Sequence, residues 1–85
     1  MQDIYDFYNL IGKNIKRIRR EHHESQEVFA EKLDMSRGFI SQIESSVKTG
    51  ISLDTLYAIS QKYHIDIRDL FQGYEQFMKE KDEKN

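Results

Sequence analysis

The chain has 85 residues, contains neither cysteine nor proline, and carries a formal net charge of −2. This length predicts one small domain with a marginal core, and the lack of cysteine excludes disulfides and thiolate metal sites. No apolar run approaches the length of a membrane span or of a signal-peptide core. We therefore expect a soluble protein of the cytoplasm.

The first predicted helix begins near Asp3, a suitable N-cap residue, and runs toward Glu21. Apolar residues recur in it at spacings of three and four, as in an amphipathic helix. They are Ile4, Phe7, Tyr8, Ile11, Ile15 and Ile18. Gly12 lies inside this pattern and is expected to weaken the helix by roughly 1 kcal/mol. The opposite side of the helix is basic.

Two short helical patterns follow almost back to back in residues 25–44. Ser25 and Ser36 each precede one of them, as N-cap residues do. The first pattern covers residues 26–33, and three residues separate it from the second. A short helix, a tight turn and another short helix form the outline of a helix-turn-helix unit. Met35, in the turn, is expected to point inward.

The second half of the chain predicts two further helices and no strand. Ser52 and Asp66 are the expected N-cap residues of helices four and five. Helix five is predicted over residues 67–78, and the polar residues 79–85 are expected to fray. The sequence therefore predicts an all-α fold of five helices, with a single domain over residues 1–78 and a polar C-terminal tail.

The residues suggest no catalytic, metal-binding or cofactor-binding site. His22 and His23 are adjacent, so on a helix they point in different directions, and neither belongs to a zinc motif. The chain has no glycine-rich phosphate loop and no nucleophile elbow. We expect a protein that is not an enzyme and that binds no cofactor, metal or small-molecule ligand.

Net charge, taken alone, counts against nucleic-acid binding, because domains that bind nucleic acids are often basic. The distribution of charge weakens this objection. Residues 11–50 contain eight Lys or Arg against six acidic residues, whereas residues 51–85 contain five against seven. This asymmetry fits a DNA-facing side and a side that faces away, and it fits a solvated surface of mixed charge equally well.

Over residues 11–71, the chain resembles the Xre-type helix-turn-helix domain of phage repressors, Cro proteins and restriction-modification controllers. The matching residues are Ile15, Ile18, Arg19, Ser25, Gln26, Glu27, Phe29, Ala30, Glu31, Lys32, Leu33, Ser36, Arg37, Ile40, Ser41, Gln42, Ile43, Glu44, Ser52, Leu53, Leu56 and residues 67–71. The family usually has Gly in place of Asp34 and shortly after Glu44, and a shorter loop than residues 45–51. The resemblance implies a compact lambda-repressor-like DNA-binding domain.

The resemblance implies that helix three lies in the major groove of double-stranded DNA. By position, the groove-facing residues are Arg37, Gly38, Phe39, Ser41 and Gln42. Arg37 suits paired hydrogen bonds with guanine and Gln42 with adenine, while Phe39 could pack on a thymine methyl. Gly38 either narrows the readout or lets the helix approach closely. Without the resemblance, this face would be interpreted as an ordinary polar helix surface.

Four further residues are implied to contact the DNA backbone. Gln26 and Ser36 match positions that hold phosphates at helix N-termini. Lys48 and Thr49 are expected to reach the backbone from the loop. The resemblance also implies a structural ion pair, Arg19 with Glu44, that joins helix one to the end of helix three.

The apolar stripe of helix five predicts an interface between two copies of the chain. Family resemblance implies a two-fold dimer, and the expected interface residues are Ile67, Leu70, Tyr74, Phe77 and Met78. In the alternative arrangement, the N-terminal aromatic residues Tyr5, Phe7 and Tyr8 fold back over this stripe within one protomer. The two arrangements are compatible with each other.

Two functional hypotheses follow. The first is a sequence-specific transcriptional regulator that binds a palindromic operator as a dimer. The second is a protein-interaction module of the same fold, of the antitoxin or anti-repressor type, that binds a partner protein through helix five. Selection of bound sequences from random DNA discriminates between them.

Overall fold

The computed structural model describes residues 4–45 and 50–84, in which every regular element is helical. The elements are α1 (Ile4–Glu21), α2 (Gln26–Lys32), α3 (Arg37–Glu44), α4 (Leu53–Lys62), a 3-10 helix (Ile67–Phe71) and α5 (Tyr74–Lys84). The all-α prediction is therefore confirmed. The N-cap predicted at Asp3 lies outside the described residues. None of the helices in the described ranges is long and apolar enough to cross a membrane.

Short polar side chains cap the N-terminal ends of α2, α3, α4 and the 3-10 helix, as the sequence predicts. Ser25 Oγ accepts a hydrogen bond from the Val28 N–H at 3.1 Å, and Ser52 Oγ accepts one from the Thr55 N–H at 3.2 Å. The Asp66 carboxylate does the same at the 3-10 helix. Each cap satisfies a backbone donor that has no partner within its own helix.

Residues in the left-handed conformation end α1, α2 and α4. They are His23, Asp34 and His64, with φ angles of 56°, 57° and 53°. Glycine commonly occupies this position after a helix, which explains why the family favours Gly where this chain has Asp34. The next residue, Met35, donates its N–H to the Ala30 carbonyl at 2.8 Å, and its side chain packs against the core. The inward orientation predicted for Met35 is confirmed.

The core is built from side chains of α1, α2, α3, α4 and the 3-10 helix. Its largest fully buried side chains are Ile15, Ile18, Phe29, Ile40, Ile43, Ile59 and Leu70. The buried Asn14 on α1 donates from Nδ2 to the carbonyl oxygens of Leu70 and Gln72, both at 3.0 Å. This side chain therefore holds the 3-10 helix against α1.

The prediction of a single helix over residues 67–78 is wrong. The 3-10 helix ends at Phe71, Gly73 has a φ of 93°, and α5 begins at Tyr74. A positive φ cannot be accommodated within a right-handed helix, so the chain changes direction at Gly73. The new helix then continues to Lys84, through most of the stretch that was expected to fray.

This change of direction alters the apolar surface that helix five was expected to present. Leu70 is fully buried in the core, so its assignment to a dimer interface is wrong. The Phe7 ring on α1 contacts Phe71, Tyr74 and Phe77, with ring centroids 6.0–6.1 Å apart. The N-terminal part of α1 thus covers much of the stripe within one protomer, through Phe7. Tyr5 remains exposed.

Candidate nucleic-acid interface

Helix α3 has one buried face and one exposed polar face. Ile40 and Ile43 are completely buried and fix the helix to the core. Arg37, Gly38 and Gln42 are exposed, and Ser41 is half-buried. The structure therefore places four of the five residues predicted to face the groove along the outer side of α3.

The fifth residue predicted to face the groove, Phe39, is only partly exposed to solvent. Its side chain is half-buried and packs against the core. Phe39 thus contributes to the attachment of α3, and only part of its ring is open to an incoming base. Ser36, one of the predicted phosphate contacts, accepts a hydrogen bond from the Phe39 N–H at 3.0 Å through Oγ. Its hydroxyl therefore caps α3.

A buried ion pair holds the C-terminal end of α3. Arg19 on α1 donates from Nε and Nη2 to the two carboxylate oxygens of Glu44, at 2.7 and 2.9 Å. The side chains are 10% and 3% exposed, so water screens the pair weakly. The hydrogen bond to Glu44 raises the pKa of Arg19. Arg19 also donates from Nη1 to the Glu24 carbonyl at 2.7 Å, which ties the turn between α1 and α2 to the same ion pair.

Gln26 belongs to this network, which sequence reasoning missed. Its Nε2 donates to Glu44 Oε1 at 3.1 Å, and the residue is half-buried. The amide predicted to contact a phosphate is thus held by the carboxylate that Arg19 neutralises. No local pattern indicates this contact, because residues 26 and 44 are joined only by the packing of α2 on α3. Gln26 therefore links the first residue of α2 to the last residue of α3.

A second polar cluster joins the α1–α2 turn to α4. Tyr63 donates its hydroxyl to Glu24 Oε1 at 2.5 Å, and Lys32 forms an ion pair with the same carboxylate. Burial would raise the pKa of Glu24, but the hydrogen bonds from Lys32 and Tyr63 leave it below its usual value. Burial and the hydrogen bond to Glu24 raise the pKa of Tyr63. The His22 ring packs edge-on against Tyr63, with centroids 4.8 Å apart.

Two predicted contacts, Lys48 and Thr49, lie outside the described residues. Within the ranges that are described, no group of three or more His, Asp or Glu side chains could hold a metal ion. The exposed face of α3 offers groups for hydrogen bonding and packing. One guanidinium, one amide and one hydroxyl are the polar groups that it presents, from Arg37, Gln42 and Ser41.

Comparison with known proteins found a family model and a relative that match the chain. A family model described as helix-turn-helix matches residues 15–70. The control protein C.MunI of a Mycoplasma species is 37% identical to this chain over 65 residues, which cover 75% of this chain and 86% of that protein. No solved structure matches the chain significantly.

Proposed function

This chain belongs to the Xre-type helix-turn-helix family of DNA-binding transcriptional regulators, and we propose that it reads a palindromic operator as a homodimer. The family and the control-protein relative point to a DNA-binding regulator and not to an enzyme. The proposal places the protein in the cytoplasm, with double-stranded DNA as its ligand. Recognition takes place in the major groove, where each base pair presents a distinct pattern of donors and acceptors.

The observation that carries the proposal is the contrast between the two faces of α3. Ile40 and Ile43 hold one face rigidly in the core, while Arg37 and Gln42 project from the other. These two side chains can each form two hydrogen bonds with a base edge, Arg with guanine and Gln with adenine. A helix whose position is fixed by packing can present such groups with little loss of conformational entropy on binding.

The Arg19–Glu44–Gln26 network also supports the proposed role of α3, because it helps to fix the position of this helix. It connects α1, the first residue of α2 and the last residue of α3 through hydrogen bonds of 2.7–3.1 Å. In the proposed complex, Gln26 acts mainly by positioning α3 through Glu44, and its remaining hydrogen-bonding capacity is available to a phosphate. Ser36 acts in the same way, because its Oγ already caps α3.

The dimer is proposed from apolar surface that the protomer leaves uncovered near the 3-10 helix and α5. Ile67 and Tyr74 are 36% and 44% exposed, and Phe77 and Met78 are half-buried. We infer that Ile67 and Tyr74 provide the centre of the interface and that Phe77 and Met78 contribute their open edges. The contact of Phe7 with this cluster reduces the apolar area available to any partner, whether a second copy or an unrelated protein. The family and the relative both point to a DNA-binding regulator, and no observation favours the interaction-module hypothesis.

Selection of bound sequences from a random DNA pool, followed by a mobility shift, tests the proposal. We expect enrichment of a palindrome whose half-sites are centred about 34 Å apart, one helical turn of DNA. The double variant Arg37→Ala/Gln42→Ala serves as a matched control, because both residues are exposed and their removal leaves the core intact. Failure of the unmodified protein to enrich any sequence at low salt would contradict the proposal and favour a protein-binding role.

A further inference from the structure

Two glycines lie inside helices, and only one of them is required by the packing of the described chain. Gly12 on α1 is buried, and a methyl group placed on it would overlap the carbonyl oxygen of Ile43. Gly38 on α3 is exposed, and apart from its two chain neighbours and the adjoining backbone of α3, a methyl group there would meet no atom of the described chain within 4 Å. Its φ is not positive, since Gly50 and Gly73 are the glycines of the described ranges with that conformation.

Nothing in the described ranges of the protomer therefore requires glycine at position 38. Glycine is a poor helix former compared with alanine, because it loses more backbone freedom when the helix forms. α3 has only eight residues, so an unfavourable residue weighs heavily on its stability. Ser36 caps the helix, and Ile40 anchors it in the core. Both contacts could form equally well with a side chain at residue 38.

The position of Gly38 on the helix explains what its missing side chain leaves open. Successive residues of an α-helix are turned by about 100°, so Gly38 lies roughly 160° from Ile40 and 140° from Ile43 around the axis. Gly38 is thus nearly opposite the buried face. Arg37 and Gln42 flank it on the exposed side. The outermost line of α3 consequently has bare backbone at its N-terminal end, between two long polar side chains.

We propose that Gly38 is the point of closest approach between α3 and the bases, where main chain rather than a side chain lies against the groove floor. This rests on the proposed DNA-binding function. A helix with its side chains is about 10–12 Å across and the major groove is about 12 Å wide, so the fit is tight. Because residue 38 has no side chain at this outermost position, the axis of α3 can lie closer to the floor of the groove. Arg37 and Gln42 then reach base edges on either side of it.

The test compares Gly38→Ala and Gly38→Leu with the unmodified protein. We expect the melting temperature of Gly38→Ala to equal or exceed that of the parent, and its affinity for the selected operator to fall at least tenfold. Gly38→Leu should lose more affinity than Gly38→Ala. Because no charge changes, the dependence of affinity on salt should keep its slope. Gln61→Ala, an exposed and uncharged change on α4, should leave both quantities unaltered.

Two results would overturn the inference while leaving the proposed function intact. One is a Gly38→Ala variant that binds the operator within twofold of the parent, which would show that the space is not used. The other is a clear fall in its melting temperature, which would show that the fold itself requires the glycine. If the unmodified protein enriches no DNA sequence, the proposed function fails, and this inference fails with it.

Discussion

Gly12 of α1 lies directly against the backbone carbonyl of Ile43 near the end of α3. A methyl group at residue 12 would overlap that oxygen and lie 3.4 Å from the carbonyl carbon. Glycine at this position permits the two helix backbones to touch. The contact lies one residue before Glu44, whose carboxylate binds Arg19 on the same α1 helix. The end of α3 is therefore held to α1 both by main-chain contact and by an ion pair.

Gly12→Ala is expected to lower the melting temperature. Alanine favours the helix by about 0.5–1 kcal/mol, but overpacking of a tight contact typically costs 1–3 kcal/mol. The opposing atom belongs to the backbone of Ile43 and cannot rotate away, so the cost should prevail. Thermal unfolding followed by circular dichroism measures the change. An unchanged or higher melting temperature would show that α1 and α3 separate easily, and Gly38→Ala, without this contact, provides the comparison.

Local sequence patterns were sufficient to predict most of the helices. Ser25, Ser36 and Ser52 each cap the helix that follows them, and the apolar periodicity of α1 matches its buried residues Ile11, Ile15 and Ile18. Such features depend on residues within one or two turns of each other. The exposed face of α3 could also be predicted from local sequence. Burial of Ile40 and Ile43 determines which residues of the helix point outward.

Features that depend on distant contacts could not be predicted in this way. From the sequence alone, Gly12 is expected only to weaken α1. In the structure, the absence of a side chain at Gly12 allows the backbone of α3 to pack against α1. Gln26 was expected to contact DNA alone, but it donates to a carboxylate eighteen positions away in the chain. The sequence does not reveal the break at Gly73, because an apolar stripe at helical spacing continues across it, from Leu70 to Phe77.

Glu44→Ala is expected to destabilise the protein far more than Glu31→Ala. Removal of Glu44 leaves the guanidinium of Arg19 buried without its carboxylate partner, and it also removes the acceptor of Gln26. Breaking a buried ion pair from one side typically costs about 3–5 kcal/mol. Glu31 is exposed on α2 and serves as the matched control. Urea unfolding of both variants measures the difference, and equal midpoints would contradict a stabilising role for the pair.

The contact between Glu24 and Tyr63 predicts how stability changes with pH. The charged or titratable groups facing Glu24 are Lys32, Tyr63 and His22. Because the pKa of Glu24 is lowered in the folded state, its contribution is present above the ordinary value of 4.5 and is lost as the pH falls through the folded pKa. Because the pKa of Tyr63 is raised, its contribution is present below 10.0 and is lost at higher pH.

Glu24→Gln should therefore reduce the free energy of unfolding at neutral pH and have a smaller effect as the pH falls below about 4.5. Tyr63→Phe should flatten the alkaline arm of the stability curve above about pH 10. Urea unfolding between acidic and alkaline pH tests both. Glu31→Gln controls for loss of a surface carboxylate. A Glu24→Gln effect that is the same at every pH would show that the carboxylate charge is not what stabilises this contact.

The proposed dimer should dissociate when its exposed apolar residues become acidic. Ile67→Asp/Tyr74→Asp places two charges on apolar side chains that remain 36% and 44% exposed in the protomer, so association should weaken, and circular dichroism checks that the variant stays folded. Phe77→Asp is a poorer test, because Phe77 is more buried than Tyr74, although both rings contact Phe7 within the protomer. Tyr57→Asp on α4 is a suitable control, since Tyr57 is 61% exposed and lies outside the proposed interface.

Sedimentation and operator affinity together measure this effect. We expect a monomeric double variant with much weaker operator binding, because one recognition helix then reaches only one half-site. Tyr57→Asp should remain dimeric. An unmodified protein that is monomeric at micromolar concentration, with and without DNA, would contradict the dimer. A dimer that dissociates only with Tyr57→Asp would place the interface on α4 instead.

The last prediction separates residues that read sequence from residues that position α3. Arg37→Ala and Gln42→Ala should each cost about 1–3 kcal/mol, and only on operators that carry the matching base. The preference at one base pair per half-site should therefore relax in each variant. Arg37→Ala can also lower the salt slope if the guanidinium touches a phosphate, so the ranking of operator variants is the decisive measurement.

Gln26→Ala should behave differently from both. Its amide is uncharged and is held by Glu44, so its loss should weaken binding evenly across operator variants with the salt slope little changed. It should also lower the melting temperature, since Glu44 loses a donor in a partly buried site. Affinities for the selected operator and its single-base variants, at several salt concentrations, distinguish the two classes. If Arg37→Ala and Gln42→Ala both leave the ranking of operator variants intact, α3 does not read the DNA sequence in this protein.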